Sequence, residues 1–321
     1  MEAIAEAHPN IALIKYWGKR DGPDNVPATP SLSITLSQLR TRTRVRIEPS
    51  SDRVVTLNGQ VVRDAKIDAC LDRLIARGGR ASRGVRVDTD NNFPTAAGLA
   101  SSASGFAALI TAMNEALRLQ MSDDERSIEA RRASASAARS LYGGFVTLSG
   151  GDDAATWIAR PELQADAWPF AVVVAICSDR PKAVSSSVGM LQSKSSPFYA
   201  RWTEAAATDF TEARVAVASR DFNRLGAIAE GNCLAMHAVM LSARPALSYW
   251  APATVACMSR IRELRDDGER VFFTIDAGPQ VKAVCEPGSV ERVRSALAAV
   301  PGVQDVVAVG LGGPARVVST A

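Results

Sequence analysis

Histidine is nearly absent from the chain: His8 and His237 are the only two among 321 residues. A histidine-rich metal site is therefore excluded, and a Ser-His-Asp hydrolase would have to rest on one of the two. His237 lies in CLAMHA, residues 233–238, a helix-like context that predicts a packing imidazole. Cysteine is scarce too. Cys70, Cys177, Cys233, Cys257 and Cys285 are odd in number, scattered and mostly flanked by apolar residues, unlike a disulfide framework or a CxxC metal knuckle. They are expected as reduced core residues. Long apolar runs are missing: residues 170–177 form the longest, far short of the roughly 20 residues of a membrane helix. The opening MEAIAE carries acids where a secretory leader carries basic residues. The expectation is a cytoplasmic protein with no membrane partner.

What is present is ordinary for a globular protein. Apolar residues make up 47% and charged residues 22%, the net charge is +3, and the length suggests roughly two domains. Residues 11–17, 31–36, 41–47 and 53–58 are short β-branched runs bounded by turns and predict strands. In residues 40–47, RTRTRVRI, the arginines recur at every second position and share one face. Without interleaved aromatics or a large positive charge, that pattern predicts a solvated strand face and no nucleic-acid partner. Helical periodicity appears at 67–75, 106–117 and 128–141. The apolar strand 170–177 and the polar stretch 182–196 place the expected boundary between residues 1–180 and 181–321. Beyond it, residues 198–243 and 253–265 predict helices, and 271–275, 281–286 and 303–310 predict strands.

Four segments carry chemistry. Residues 92–105, NFPTAAGLASSASG, lead into a helix. Small residues let a ligand approach the backbone, the helix start offers free N–H groups, and Ser101, Ser102 and Ser104 can add hydrogen bonds to phosphate or a metal ion. A helix start that needs small residues only for packing is the competing reading, and no Gly-Lys-Ser/Thr closes a Walker A loop. In residues 10–21, NIALIKYWGKRD, strand alternation puts Lys15 on the face of Ile11 and Leu13. A lysine buried there needs an anionic partner, whereas one on an edge strand is simply solvated. In residues 273–279, FTIDAGP, an apolar strand delivers Asp276 into a tight turn, as a turn cap or as a base facing a cleft. In residues 134–145, SASAARSLYGGF, the hydroxyls and Arg139 could bind an oxyanion or a carboxylate, or the serines could be small helix residues.

Together, in order and spacing, these segments resemble the mevalonate diphosphate decarboxylases of the GHMP kinase superfamily. Weaker likeness extends through residues 182–202 and 232–238. The resemblance implies an α+β, GHMP kinase-like fold, with an N-terminal ribosomal-protein-S5-like domain, a C-terminal ferredoxin-like domain and the active site between them. It implies ATP and Mg2+ as cofactors, mevalonate diphosphate as substrate, and a homodimer. Carried over residue by residue, it makes Asp276 the catalytic carboxylate beside the substrate's 3-hydroxyl, Lys15 its cationic neighbour and Arg139 the holder of the substrate carboxylate. Tyr16, Lys19, Ser134 and Ser136 match positions that hold the mevalonate portion and its diphosphate. Gly98, Ala100, Ser101, Ser102 and Ser104 match the nucleotide phosphate loop, with Ser102 facing the magnesium. Residues 182–196 resemble a mobile segment near the diphosphate. The chain departs from the family pattern at Thr29-Pro30 and at Ala135, which stands where the family has glycine between two serines.

The implied reaction phosphorylates a tertiary alcohol, which is otherwise a poor leaving group, and then expels phosphate and carbon dioxide. Two alternatives on the same fold are a kinase that stops at phosphorylation and a silent binding paralogue. Asp276 and Arg139 weigh against both.

Overall fold

The computed structural model describes residues 1–48, 52–79, 84–93, 101–180 and 182–320. In chain order the first half comprises β1 (Glu2–Ala7), β2 (Asn10–Ile14), β3 (Ser31–Thr35), β4 (Thr41–Glu48), β5 (Arg53–Leu57), β6 (Gln60–Val61), α1 (Ala65–Arg77), β7 (Gly84–Asn91), α2 (Ser101–Ala116), α3 (Asp123–Ala133), α4 (Ala135–Arg139), β8 (Phe145–Ser149) and β9 (Ile158–Leu163). The second half comprises β10 (Ala171–Ile176), α5 (Ser186–Ser193), α6 (Tyr199–Ser219), α7 (Phe222–Leu241), α8 (Pro252–Asp266), β11 (Val271–Ile275), β12 (Val281–Cys285), α9 (Val290–Ala298), β13 (Asp305–Gly310) and β14 (Arg316–Thr320).

Among the described residues the strands form three sheets, one of six strands in the order β14-β1-β4-β7-β5-β6 and two of four, β2-β3-β8-β9 and β11-β12-β10-β13. Period-two alternation decides the faces of the first. Ala3, Ala5 and Ala7 of β1 and Val45 and Ile47 of β4 turn inward, and the small alanines let the Ala-rich α2 pack closely. Arg42, Arg44 and Arg46 turn outward and, with Arg40, pair with Glu2 and Glu6 of β1 and Asp88 of β7. The arginine stripe is thus a solvated ladder of cross-strand pairs.

The two four-stranded sheets share one core. Val172 and Val174 of β10 face the cluster containing Ile11, Leu13, Leu32 and Ile34, while Ala171, Val173 and Ala175 face a second cluster under α8 and α9. Burial on both faces explains why this strand reads as a continuous apolar run. Phe145, Trp168, Phe170, Phe222 and Phe272 touch in succession across the junction, the first pair stacked and the others edge-on or tilted, with centroids 4.5–5.4 Å apart. Truncating one such ring to alanine costs about 3–5 kcal/mol.

Connectivity crosses the expected boundary at residue 180 twice: β10 pairs with β12 and β13, and β14 returns to pair with β1. The predicted helix at 128–141 is broken at Ser134 into α3 and α4, because Ser134 is extended (φ −157°). The polar stretch at 182–196 contains α5, capped by Ser185. All five cysteines are buried and unbridged. Among the described residues, no helix is long and apolar enough to cross a membrane.

Candidate functional site

Lys15 follows the last residue of β2, and a bulge decides where it points. Pairing of β2 with β3 runs Ala12↔Ser33 and then Ile14↔Leu32, so Leu13 is an extra residue. Simple alternation would bury Lys15 beside Ile11 and Leu13; the bulge resets the parity. Ile11, Leu13 and Ile14 enter the core, whereas Lys15 joins Asn10 and Ala12 on the wall of a cavity of about 660 Å³. The face expected from alternation is therefore corrected. Three residues on, Gly18 has φ +106°, and a Cβ there would lie 2.2 Å from the Tyr199 hydroxyl, so only glycine fits the turn.

Asp276 leaves β11 into the turn closed by Gly278 N–H donating to its carbonyl at 2.7 Å. Lys15 Nζ donates to its Oδ1 at 2.7 Å, and Lys282 Nζ lies 3.2 Å from its Oδ2. Both lysine side chains are 1% exposed, while about a third of Asp276 opens onto the cavity at 31%. Burial pushes the carboxyl pKa up, but Lys15 and then Lys282 overcome it and hold the group well below the usual carboxylate range. Magnitudes agree. Attraction at this range is on the order of 5 kcal/mol per pair at an effective dielectric of about 20, against several kcal/mol per ion for desolvation. One lysine roughly offsets the penalty; two decide for the ion.

Arg139, at the end of α4, is 2% exposed. It donates to Ser31 Oγ at 2.7 Å and Asn10 Oδ1 at 3.4 Å, and its Nε has no hydrogen-bond partner. Burial lowers its pKa to about 10, which leaves it charged at neutral pH. A desolvated guanidinium with an unpaired N–H, on the wall of a cavity, suits an anion that arrives from outside. Tyr16, Lys19, Ser134 and Ser136 line the same cavity, with the two serine hydroxyls 3.0 Å apart. Burial raises the Tyr16 pKa, and burial followed by Lys66 lowers that of Lys19. Ala135 is buried beside them, and Thr29 is buried with its hydroxyl on the Lys15 carbonyl at 3.4 Å.

The serines expected in the phosphate loop lie in the first turn of α2. Ser101 and Ser102 border an apolar cavity of about 190 Å³ between β5, β7 and α2, lined by Val55, Leu57, Ile67, Phe106 and Leu109. Ser102 borders both cavities. Ser104 does not join them: it is fully buried, with Oγ 2.7 Å from Thr41 Oγ1 and 3.3 Å from the Ser101 carbonyl. From its place in the first turn of α2 this serine therefore packs onto β4. Gly98 and Ala100 lie outside the described residues.

Sequence reasoning missed several lining or bordering groups. Lys66, Arg132 and Lys182 add positive charge to the larger cavity. The missed Lys282 stands alone among apolar residues in β12, VKAVC, the same signal that flagged Lys15. His237, expected as a packing residue, sits against Trp250 behind Asp276, and burial lowers its pKa to about 3, leaving it neutral.

The diphosphomevalonate decarboxylase-like N-terminal domain matches residues 7–159, and the mevalonate 5-diphosphate decarboxylase C-terminal domain matches residues 172–309. The diphosphomevalonate decarboxylase of Candida albicans is 34% identical over 92% of this chain and 87% of its own. The phosphomevalonate decarboxylase of Haloferax volcanii is 33% identical over 99% of this chain and 98% of its own. The solved complex of MDDEF with MVAPP, AMPPCP and magnesium superposes with a TM-score of 0.93 at 36% identity, covering 100% of this chain and 99% of that one.

Proposed function

The chain belongs to the diphosphomevalonate decarboxylase family, with its GHMP kinase-like α+β fold, and from that premise we infer how its cleft performs the ATP-dependent decarboxylation of diphosphomevalonate. The observation that carries the assignment is Ser102, which borders both an apolar cavity and a cationic one at the start of α2. The smaller cavity takes the nucleotide base. The larger takes the acid, and the phosphoryl group passes between them beside Ser102.

Within the larger cavity, Lys19, Lys66 and Arg132, with Ser134, Ser136 and Tyr16, receive the diphosphate. Arg139, on the wall of the same cavity, binds the carboxylate through its guanidinium. Asp276 meets the tertiary hydroxyl. Too weak a base to deprotonate an alcohol in advance, it accepts the proton as the γ-phosphoryl group transfers to the oxygen. Lys15 stabilises the charge on that group. The C3–O bond then breaks with its electron pair leaving on phosphate, and the carboxylate carbon leaves as carbon dioxide, its bonding pair closing the alkene. Isopentenyl diphosphate, ADP, phosphate and carbon dioxide result.

ATP and Mg2+ are the cofactors. Ser102, exposed at the start of α2, would hold the magnesium that accompanies the nucleotide. When bound, the ion neutralises phosphate charge. We also propose that the domain division lies between β9 and β10, and that the protein is a cytoplasmic homodimer, which light scattering on the purified chain tests.

A second reading, the monophosphate as substrate, is favoured by the near full-length match to the Haloferax protein. Purified protein is given ATP with mevalonate, its 5-phosphate or its 5-diphosphate, and ADP and carbon dioxide are followed together. The diphosphate should yield both in a one-to-one ratio. Turnover confined to the 5-phosphate would install the second reading, and ADP without carbon dioxide would leave a kinase.

A further inference from the structure

We infer that Lys282 is a positioning residue of the reaction: it anchors the second carboxylate oxygen of Asp276, so that the aspartate meets the tertiary hydroxyl in a single orientation. The inference rests on the reading of Asp276 given above and extends it to a residue no motif singled out.

Lys282 is the second residue of β12 and lies opposite Thr274 on β11 and Val174 on β10. Opposed residues share a sheet face, and on this one Phe272, Val284, Val172 and Val174 enter the core. Alternation therefore calls for an apolar side chain at 282. An ammonium there carries a desolvation penalty that valine or methionine would avoid, so stability alone does not account for it. Its Nζ lies 3.2 Å from Asp276 Oδ2, while Lys15 holds Oδ1 at 2.7 Å. With one anchor a carboxylate can pivot about its Cβ–Cγ bond; with two, its remaining lone pairs have fixed directions into the cavity.

The charged and titratable groups around Asp276 come from every neighbouring element. Lys15 follows β2, Lys282 lies on β12, Lys182 precedes α5 and Arg139 ends α4. From α7 come the Cys233 thiol, its pKa raised by burial, and the neutral His237. Lys15, Asp276 and Lys282 together carry one net positive charge, and removing Lys282 cancels it.

The test is Lys282→Met, an unbranched replacement for a site between Val174 and Thr274. Expected are a kcat lower by about 10- to 100-fold, the scale of a misplaced reacting group, KM for ATP and diphosphomevalonate within about twofold, and an acid limb of kcat/KM moved to higher pH. In the Asp276→Asn background the same change should have little further effect on kcat. Unchanged kcat with the acid limb in place, or an equal loss in both backgrounds, would overturn the inference. An assay-independent arm uses wild-type protein: the Asp276 carboxyl 13C resonance, assigned by difference against Asp276→Asn, should stay ionised to the lowest pH at which the protein is folded. Titration near the ordinary value of about 3.9 overturns the inference even if Lys282→Met fails to fold. Absence of carbon dioxide from wild type would instead strike the decarboxylase reading and leave the carboxyl titration to judge the anchor.

Discussion

Asn232 accepts the backbone N–H of Lys15 at 2.7 Å and donates to Asp209 at 2.9 Å, joining α7 to the bulged end of β2. One buried amide thus positions Lys15, the lysine proposed to act in the reaction, 217 residues away in the chain. Asn232→Leu keeps the branching of the side chain but leaves that N–H without an acceptor. It should lose about 1–3 kcal/mol of stability, read by urea unfolding, and lower kcat because Lys15 is released. Full activity at reduced stability would show that the bond serves the fold alone.

In the proposed role, Arg139 acts through geometry as well as charge, and lysine reproduces only the charge. Arg139→Lys should raise KM for diphosphomevalonate or lower kcat, with a combined loss in kcat/KM of about 1.5–3 kcal/mol, the value of hydrogen bonds to a charged group. The KM for ATP should hold. Steady-state kinetics with each substrate varied in turn separates the two, and a kcat/KM within twofold of wild type removes Arg139 from the carboxylate.

Ser102 and Ser104 make opposite predictions from positions two residues apart. Ser102→Ala should raise the KM for ATP and the magnesium requirement with little change in thermal stability. Ser104→Ala removes a buried bond to Thr41 and should cost about 0.5–1.5 kcal/mol of stability while leaving the KM for ATP in place. Calorimetry and initial rates on the pair would expose an exchange of these roles.

The depressed pKa of Asp276 ties stability to pH. Because its folded pKa lies below the unfolded value of about 3.9, the two lysine contacts contribute their full stability above that value and lose it as pH falls toward the folded pKa. Wild type should therefore exceed Asp276→Asn in stability at neutral pH, with the gap closing as pH drops below about 4. Denaturant unfolding from pH 7 to pH 3 measures the gap; a constant difference would mean that the carboxyl titrates normally.

Much of the secondary structure was legible because its causes are local. β11 and β12 stop where the apolar runs stop, and α1 and α8 follow their periodicity. The Ser134 break was not, since Ser134 sits inside a periodic run and its extended backbone comes from packing. β1 and β7 were missed for a related reason: their solvent faces carry charges that mask the alternation, and β14, exposed along its whole length, shows no alternation; the partners of all three lie far away in sequence.

The sequence by itself determined the motif segments, the chemistry of Lys15, Asp276 and Arg139 and the family they resemble, because residue type and spacing are written in one dimension. Tertiary structure decided where those groups point. The bulge at Leu13 turned Lys15 from the core to the cavity, helix phase turned Ser104 away from it, and the β11–β12 pairing set Lys282 opposite Thr274 and within reach of Asp276. Each depends on register and pairing between distant strands, where a shift of one residue reverses the face a side chain occupies, and no local pattern encodes that shift.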